Sequence, residues 1–317
     1  MNNFKDVYIF GIGGSGMSSI AKYLVQQNIN VSGYDQRKSF VTNQLNQDGI
    51  NVDFEFGNLK YSDETLYIYS SAVSMEKTTL KNYLDNENIL SRPEYLDLLS
   101  KTNKIIGVTG THGKTSTTAL LAHIFHYNDI NVSYIFGGMT SFHGIGGHYG
   151  NQDQPIILET DEAFNTFKNI KIDDLLVTNI DVDHLDYFEN FKNLIDAFKH
   201  VIQNVKENLV LNYDDHNIRE LALENKYITY SSTQDSDIKI KYPNKIIVDS
   251  TEYVINTKLI GSHFISNITG AIALANVNGV KTEDALEAIE TFPGVKRRTE
   301  YLGSINGINV YDDYGHH

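Results

Sequence analysis

The 317 residues are 41% hydrophobic and 21% charged with a formal net charge of −14, a composition that excludes an intrinsically disordered chain and, at this length, suits two domains. The chain has no Cys, which rules out a disulfide framework, a thiolate metal site and a Cys nucleophile. Its acidic balance argues against a nucleic-acid partner, no apolar run is long enough to span a bilayer, and Met1–Asp6 lacks the basic flank and apolar stretch of a signal peptide, so a cytoplasmic protein is expected.

In chain order, the apolar run Val7–Phe10 predicts a strand. The loop Gly11-Ile12-Gly13-Gly14-Ser15-Gly16 follows, then a helix from Met17 to Gln27 and a second strand, Asn30–Tyr34, ending at Asp35. This is a βαβ unit. Strand-like runs at Leu66–Tyr69 and Ile89–Leu90 and a helix at Glu94–Ser100 complete a small parallel α/β domain over residues 1–102. The Gly11-x-Gly13-x-x-Gly16 spacing with Asp35 beyond it fits a dinucleotide fingerprint. Taken alone it leaves three readings open: a nicotinamide or flavin cofactor, another phosphate ligand such as a UDP-sugar diphosphate, and a structural turn.

A second α/β unit begins at Lys104. Ile105–Thr109 predicts a buried strand, Gly110-Thr111-His112-Gly113-Lys114-Thr115 a loop, and Ser116–His126 a helix. A loop between strand and helix gathers backbone N–H groups at the positive end of the helix dipole. Lys114 can reach the β- and γ-phosphates of a nucleotide and the Thr115 hydroxyl can hold Mg²⁺. The strict phosphate-loop pattern has Gly where this chain has Val108. Further strands are predicted at Pro155–Glu159, Leu175–Asn179, Asn208–Asn212 and Tyr227–Tyr230, and helices at Phe191–Val205, His216–Glu224 and Ser266–Val277. Ile238–Ile255 reads as an antiparallel meander, and a last strand pair begins at Tyr301 and Ile308.

Two acidic segments follow predicted strands. Glu159-Thr160-Asp161-Glu162 is read equally well as a Mg²⁺ holder or as a solvated turn. In Thr178–Asp186, His184 beside carboxylates is read as an ordinary loop histidine, since Mg²⁺ prefers oxygen. His123 and His126 show no metal spacing, and His143 and His148 are placed in a glycine-rich surface loop.

These pieces resemble the Mur ligase family. The motifs that carry the resemblance are Gly11-Ile-Gly-Gly-Ser-Gly-Met17, Ser70-Ser-Ala72, Gly107-Val-Thr-Gly-Thr-His-Gly-Lys-Thr115, Glu159-Thr-Asp-Glu162 and Asp183-His-Leu-Asp186. Asn212-Tyr-Asp-Asp215, Gly261-Ser-His-Phe-Ile-Ser-Asn267, Gly294-Val-Lys-Arg-Arg298 and Asp312-Asp-Tyr-Gly-His-His317 extend it over the whole chain, and the last marks the final two His as native. Within the family the motifs are most similar to the branch that uses ATP to join L-alanine to UDP-N-acetylmuramic acid, a peptidoglycan precursor.

The resemblance implies an α/β fold: a small Rossmann-like parallel-sheet domain over 1–102, a P-loop-type ATP-binding domain over 103–298, and the start of a third, truncated domain over 299–317. It implies UDP-sugar contacts at Gly13, Ser15, Gly16, Met17, Asp35, Ser70, Ser71 and Arg92. ATP contacts are implied at Gly110, Thr111, His112, Gly113, Lys114, Thr115, Ser116, His263 and Asn267. Lys114, Glu159, His184 and Arg298 carry the chemistry, with Thr115 and Glu159 holding one Mg²⁺ and His184 a second. The partners implied are UDP-N-acetylmuramic acid, ATP and L-alanine, with no nucleic acid and no membrane, and the chain without its third domain is expected to be inactive alone. Ala163-Phe164 and Phe264 depart from the branch's usual residues. The alternatives kept are a ligase that recycles a preformed tripeptide onto the same sugar, a non-catalytic UDP-sugar-binding module, and a nicotinamide oxidoreductase.

Overall fold

One parallel and one mainly parallel sheet are built around two buried apolar strands. The computed structural model of the protein describes residues 4–55, 59–141, 144–221 and 226–315. The first sheet is formed by β1 (Asp6–Phe10), β2 (Asn30–Tyr34), β3 (Asn51–Asp53), β4 (Thr65–Tyr69) and β5 (Ile89–Ser91), with α1 (Ser15–Val25), α2 (Phe40–Gln47) and α3 (Arg92–Ser100) between and after them. Its order is β3-β2-β1-β4-β5 and all neighbours are parallel. Four of the five β1 residues are buried, as a strand covered on both faces requires. α3 starts at a capping box in which Ser91 Oγ accepts from the Glu94 amide and the Glu94 carboxylate accepts from the Ser91 amide.

The second sheet has ten strands. In chain order its region runs β6 (Ile105–Thr109), α4 (Lys114–Tyr127), β7 (Ser133–Thr140), β8 (Gly144–His148), β9 (Ile156–Glu159), a 3-10 segment (Ala163–Asn169), β10 (Asp174–Val177), α5 (Leu185–Phe188), α6 (Phe191–Gln203), β11 (Asn208–Asn212), α7 (His216–Arg219), β12 (Ile228–Ser231), β13 (Ile238–Lys241), β14 (Lys245–Val248), β15 (Thr251–Val254), α8 (Ser262–Val277) and α9 (Thr282–Thr291). The order is β15-β14-β13-β12-β11-β10-β6-β9-β7-β8, parallel from β13 to β7 and antiparallel at both ends. α4 and α8 bury Leu121, Phe125 and Ile272 in one apolar core. On the other face Phe167 and Phe198 meet edge to face at 5.3 Å in a core that is continuous with the first sheet.

Strand order reverses at β1 in the first sheet and at β6 in the second, and such switch points open a crevice at the carboxyl ends of the strands. Both glycine loops lie there. The α/β fold class read from the sequence holds, including the antiparallel meander. Several local readings change, among them the starts of α1 at Ser15 rather than Met17 and of α8 at Ser262 rather than Ser266. The phosphate-loop helix starts at Lys114 rather than Ser116. His148 belongs to β8 rather than to a loop, while His143 lies outside the described residues. Of the helix expected over 216–224, α7 covers His216–Arg219 and a turn follows, while 222–224 lie outside the described residues. A hairpin of β16 (Glu300–Ile305) and β17 (Ile308–Asp312) forms a separate two-stranded sheet. No described helix is long and apolar enough to cross a membrane.

One carboxylate ties the ends of β11 and β12 together. Asp214 accepts from the Ser231, Ser232 and Thr233 hydroxyls and from the Ser232 and Thr233 amides. Burial alone would raise its carboxyl, but these donors outweigh burial and hold it below the ordinary carboxylate value. Asp214→Ala is expected to lower the unfolding free energy by about 2 kcal/mol near neutral pH. Because the folded value is depressed, that difference between variant and parent is present above about pH 4 and shrinks as pH falls below it; chemical denaturation at pH 7 and pH 3 checks both statements.

Candidate functional site

The loop from Gly110 to Lys114 joins β6 to α4 and is pinned to the loop after β10. The Thr111 amide donates to the Asn179 carbonyl at 3.0 Å and the His112 amide to Asn179 Oδ1 at 2.8 Å. Thr178 Oγ1 donates to the His112 carbonyl at 2.7 Å, and the Asp181 amide to Thr111 Oγ1 at 2.8 Å. Gly110 has φ +132°, and a Cβ there would sit 2.1 Å from Thr178 Oγ1. Gly113, at φ +84°, turns the chain into α4, and a Cβ there would sit 2.7 Å from Asn267 Nδ2. Glycine is required at Gly110 by φ and by close approach to the Asn179 backbone, and at Gly113 by φ, since its close neighbours are the end of the Asn267 side chain.

Lys114 folds back over this loop. Its Nζ lies 2.7 Å from the Gly110 carbonyl, 3.2 Å from the Thr111 carbonyl, and 2.9 and 2.8 Å from the two Glu162 oxygens. The Glu162 side chain is fully buried. Burial raises its carboxyl above the ordinary value, and the Lys114 ammonium offsets that only in part. Beside this pair, Thr115 Oγ1 donates to Glu159 Oε1 at 2.8 Å, while the Gly137 amide donates to Glu159 Oε2 at 2.5 Å. His184 stands at φ +51°, with Nε2 3.9 Å from Glu162 Oε1 and 3.8 Å from Asp183 Oδ2.

Two donor sets suit a divalent cation. Asp161, Glu162 and His184 offer ligand atoms that all lie within 4.8 Å of one another. The Thr115 hydroxyl and the Glu159 carboxylate are hard oxygen donors of the kind Mg²⁺ takes, and they already touch. Sequence reasoning chose Glu159 and His184 and missed Glu162 as a site residue. Its place in the Glu159–Glu162 cluster was the available signal.

A cleft of about 400 Å³ brings together Thr111, His112, Gly113, Lys114, Thr115, Ser116, Glu159, His184, His263, Asn267 and Arg298. Gly110 lies beneath it and contributes its carbonyl to Lys114. Burial lowers the His263 imidazole below its ordinary value, against the pull of Asp313. The Arg298 guanidinium lies 5.6 Å from the ring centre of Tyr314.

The first glycine loop is built differently. The Gly13 amide donates to Asp35 Oδ2 at 2.8 Å, so the carboxylate at the end of β2 closes the loop. A Cβ on Gly16 would sit 2.8 Å from Arg92 Nε, and one on Gly11 would sit 3.1 Å from Ser70 Cβ. Arg92 opens α3 and Ser70 follows β4, so both meet the loop, whereas Ser71 is exposed just beyond. Met17 is buried in the core and its amide donates to the Gly14 carbonyl. Ser15 stands at the start of α1, and a Cβ on Gly137 would come within 3.3 Å of its Oγ. The two loops therefore approach each other across Gly137.

Comparison with known proteins identifies the family of the chain. The model of the Mur ligase middle domain matches residues 108–275, and that of the Mur ligase family catalytic domain matches residues 6–104. The chain is 29% identical to the UDP-N-acetylmuramate–L-alanine ligase of Cytophaga hutchinsonii over 339 aligned positions, covering 100% of this chain and 72% of that protein. It is 31% identical to the enzyme of the same name from Rhizobium etli, covering 98% and 70%. The crystal structure of the UDP-N-acetylmuramate-alanine ligase of Thermotoga maritima superposes with a TM-score of 0.85 at 26% identity, covering 98% of this chain and 74% of that one. With one family model on each parallel sheet and relatives aligned along nearly the whole sequence, the chain belongs to the Mur ligase family.

Proposed function

We propose that this ligase joins L-alanine to the lactyl carboxylate of UDP-N-acetylmuramic acid at the expense of ATP, in the cytoplasm where peptidoglycan precursors are made. The observation that carries the reading is the meeting of two phosphate-type glycine loops at Gly137, one on each sheet. In this reading residues 1–102 hold the UDP sugar through Gly13, Ser15, Gly16, Met17, Asp35, Ser70, Ser71 and Arg92. Residues 103–298 hold ATP, with the triphosphate on the amides of Gly110–Ser116 and the base near His263 and Asn267.

The carboxylate attacks the γ-phosphorus, the bond to the β-phosphate oxygen breaks, and ADP leaves. The alanine amine then adds to the acyl carbon of the acyl phosphate, loses a proton, and expels inorganic phosphate. Lys114, already at the mouth of the loop, neutralises charge on the transferred phosphoryl group, and Arg298 faces the same cleft. Thr115 with Glu159, and His184 with its acidic neighbours, would hold Mg²⁺, which supplies further charge neutralisation where carboxylate and triphosphate meet. The rest is positioning.

Calorimetric titration of UDP-N-acetylmuramic acid and of its L-alanyl derivative into the chain tests the proposal. Saturable binding that favours the unsubstituted sugar is expected. A preference for the alanyl derivative would move the protein to a later addition step, and binding of neither would overturn the assignment of the first loop.

A further inference from the structure

We infer that Ser19, with the bulged glycine pair Gly137-Gly138, is a built bridge that sets the position of one phosphate loop against the other, so that a ligand in the first loop changes the affinity of the second. The inference rests on the reading of both loops as nucleotide sites and adds a positioning role for a side chain that touches neither ligand.

Ser19 is fully buried on α1, one turn after Ser15. Its Oγ lies 2.6 Å from the Phe136 carbonyl of β7 and 2.8 Å from the Ser15 carbonyl of its own helix. A hydroxyl has one proton to donate, so Ser19 either ties α1 to β7 or bonds back within the helix. The residue after Phe136 is Gly137, whose amide holds Glu159 Oε2, and Glu159 Oε1 holds Thr115 at the start of α4. A continuous path thus runs from Ser15 at the first loop to Thr115 at the second.

The hairpin is shaped for this. The β7–β8 register shifts between Ile135 and Met139. A bulge leaves an amide outside the ladder, and here the Gly137 amide goes to a carboxylate. Gly138 presses on Thr115, where a Cβ would come within 2.7 Å of Thr115 Cγ2. On β8, Gly147 lets the strand lie directly on α1, since a Cβ there would come within 2.0 Å of the Ser19 carbonyl oxygen. A shift of α1 on taking up a phosphate ligand therefore displaces Phe136, Gly137 and Glu159 together, because close-packed contacts transmit displacement.

The experiment uses UDP and Mg·ADP, which lack the sugar carboxylate and the γ-phosphate and so do not touch each other. Each is titrated into the full chain alone and in the presence of the other, for the parent, Ser19→Ala and Gly147→Ala, with melting temperatures measured alongside. In the parent, UDP is expected to tighten Mg·ADP about fivefold or more, with the reciprocal change in UDP. In Ser19→Ala each ligand alone binds within about twofold of the parent, while the coupling falls below about twofold. Gly147→Ala, which pushes β8 off α1, is expected to lose the coupling by an independent route. Coupling that survives Ser19→Ala, with or without a change in melting temperature, would reduce the residue to a packing role and overturn the inference. Parent protein that binds both ligands without coupling would overturn it while leaving the nucleotide reading intact, and failure of the parent to bind one of them would remove that reading and the inference together.

Discussion

Lys114→Met is expected to weaken Mg·ATP binding by about 100-fold or more, because it removes the cation that stands over the phosphate loop. It should also destabilise the fold, since Glu162 is fully buried and Lys114 is its cationic partner. Stripping one partner from a buried pair costs about 3–5 kcal/mol, and the raised Glu162 carboxyl reduces that by taking up a proton. The sign of the pH dependence follows. A carboxyl whose folded value lies above its unfolded value favours the fold while protonated and loses that contribution as pH rises. The deficit of Lys114→Met against the parent should therefore grow from pH 5 to pH 8 in thermal unfolding. Adding Glu162→Gln is expected to recover most of the stability and none of the affinity, which separates the charge pair from the phosphate contact. Equal affinity of parent and Lys114→Met would remove the lysine from the nucleotide site.

Gly110→Ala is the second large effect. At φ +132° an L side chain is strained, and its Cβ would lie 2.1 Å from Thr178 Oγ1, 2.8 Å from the Asn179 carbonyl oxygen and 2.9 Å from the Asn179 nitrogen. Two of these neighbours are backbone atoms of the segment that pins the loop, so a rotamer change does not relieve the clash. A cost of about 3 kcal/mol or more is expected, or on the order of 10 °C in the transition of the large sheet. Gly279→Ala is the control. It also has positive φ, at +91°, but nothing lies within 4 Å of its Cβ, so only the conformational strain of about 1 kcal/mol remains. Similar losses in the two variants would show that the crowding around Gly110 relaxes.

The strands that were legible in the sequence are those with continuous apolar runs, Val7–Phe10 and Ile105–Thr109, where burial on both faces leaves a pattern that turns and helices do not share. The β7–β8 hairpin was not legible. Gly144, Gly146 and Gly147 read as loop, yet Gly146 and Gly147 sit in a strand because Phe136 and the Ser19 backbone come too close for a side chain. That reason lies in residues distant in sequence. α9 was legible and overlooked, since Glu283 and Asp284 mark its first turn and Ala285, Ala288 and Ile289 fall at helical spacing. In the candidate site, the loop residues were picked out by chain-local chemistry, and the structure gathers them at one cleft. Glu162 did not, because what distinguishes it from a solvated turn is the Lys114 ammonium 48 residues earlier.

The ten-stranded sheet protects its two open edges by different means. At β15, Glu252 carries ion pairs to Lys245 on the adjacent β14 and to Lys241 on β13 beyond it, so charge discourages a foreign strand from docking. β8, at the other end, has little charge and four glycine or isoleucine positions, and α1 of the first sheet lies over it. The register shift between Ile135 and Met139 twists the β7–β8 hairpin, which is a second way of making an open edge a poor template, and separating the chain between the two sheets would bare the apolar face of β7 and β8 that α1 covers. The contact that aligns the two glycine loops thus also shields Ile135 and Ile145 of the larger sheet from water, and this ties the stability of one half of the protein to the presence of the other.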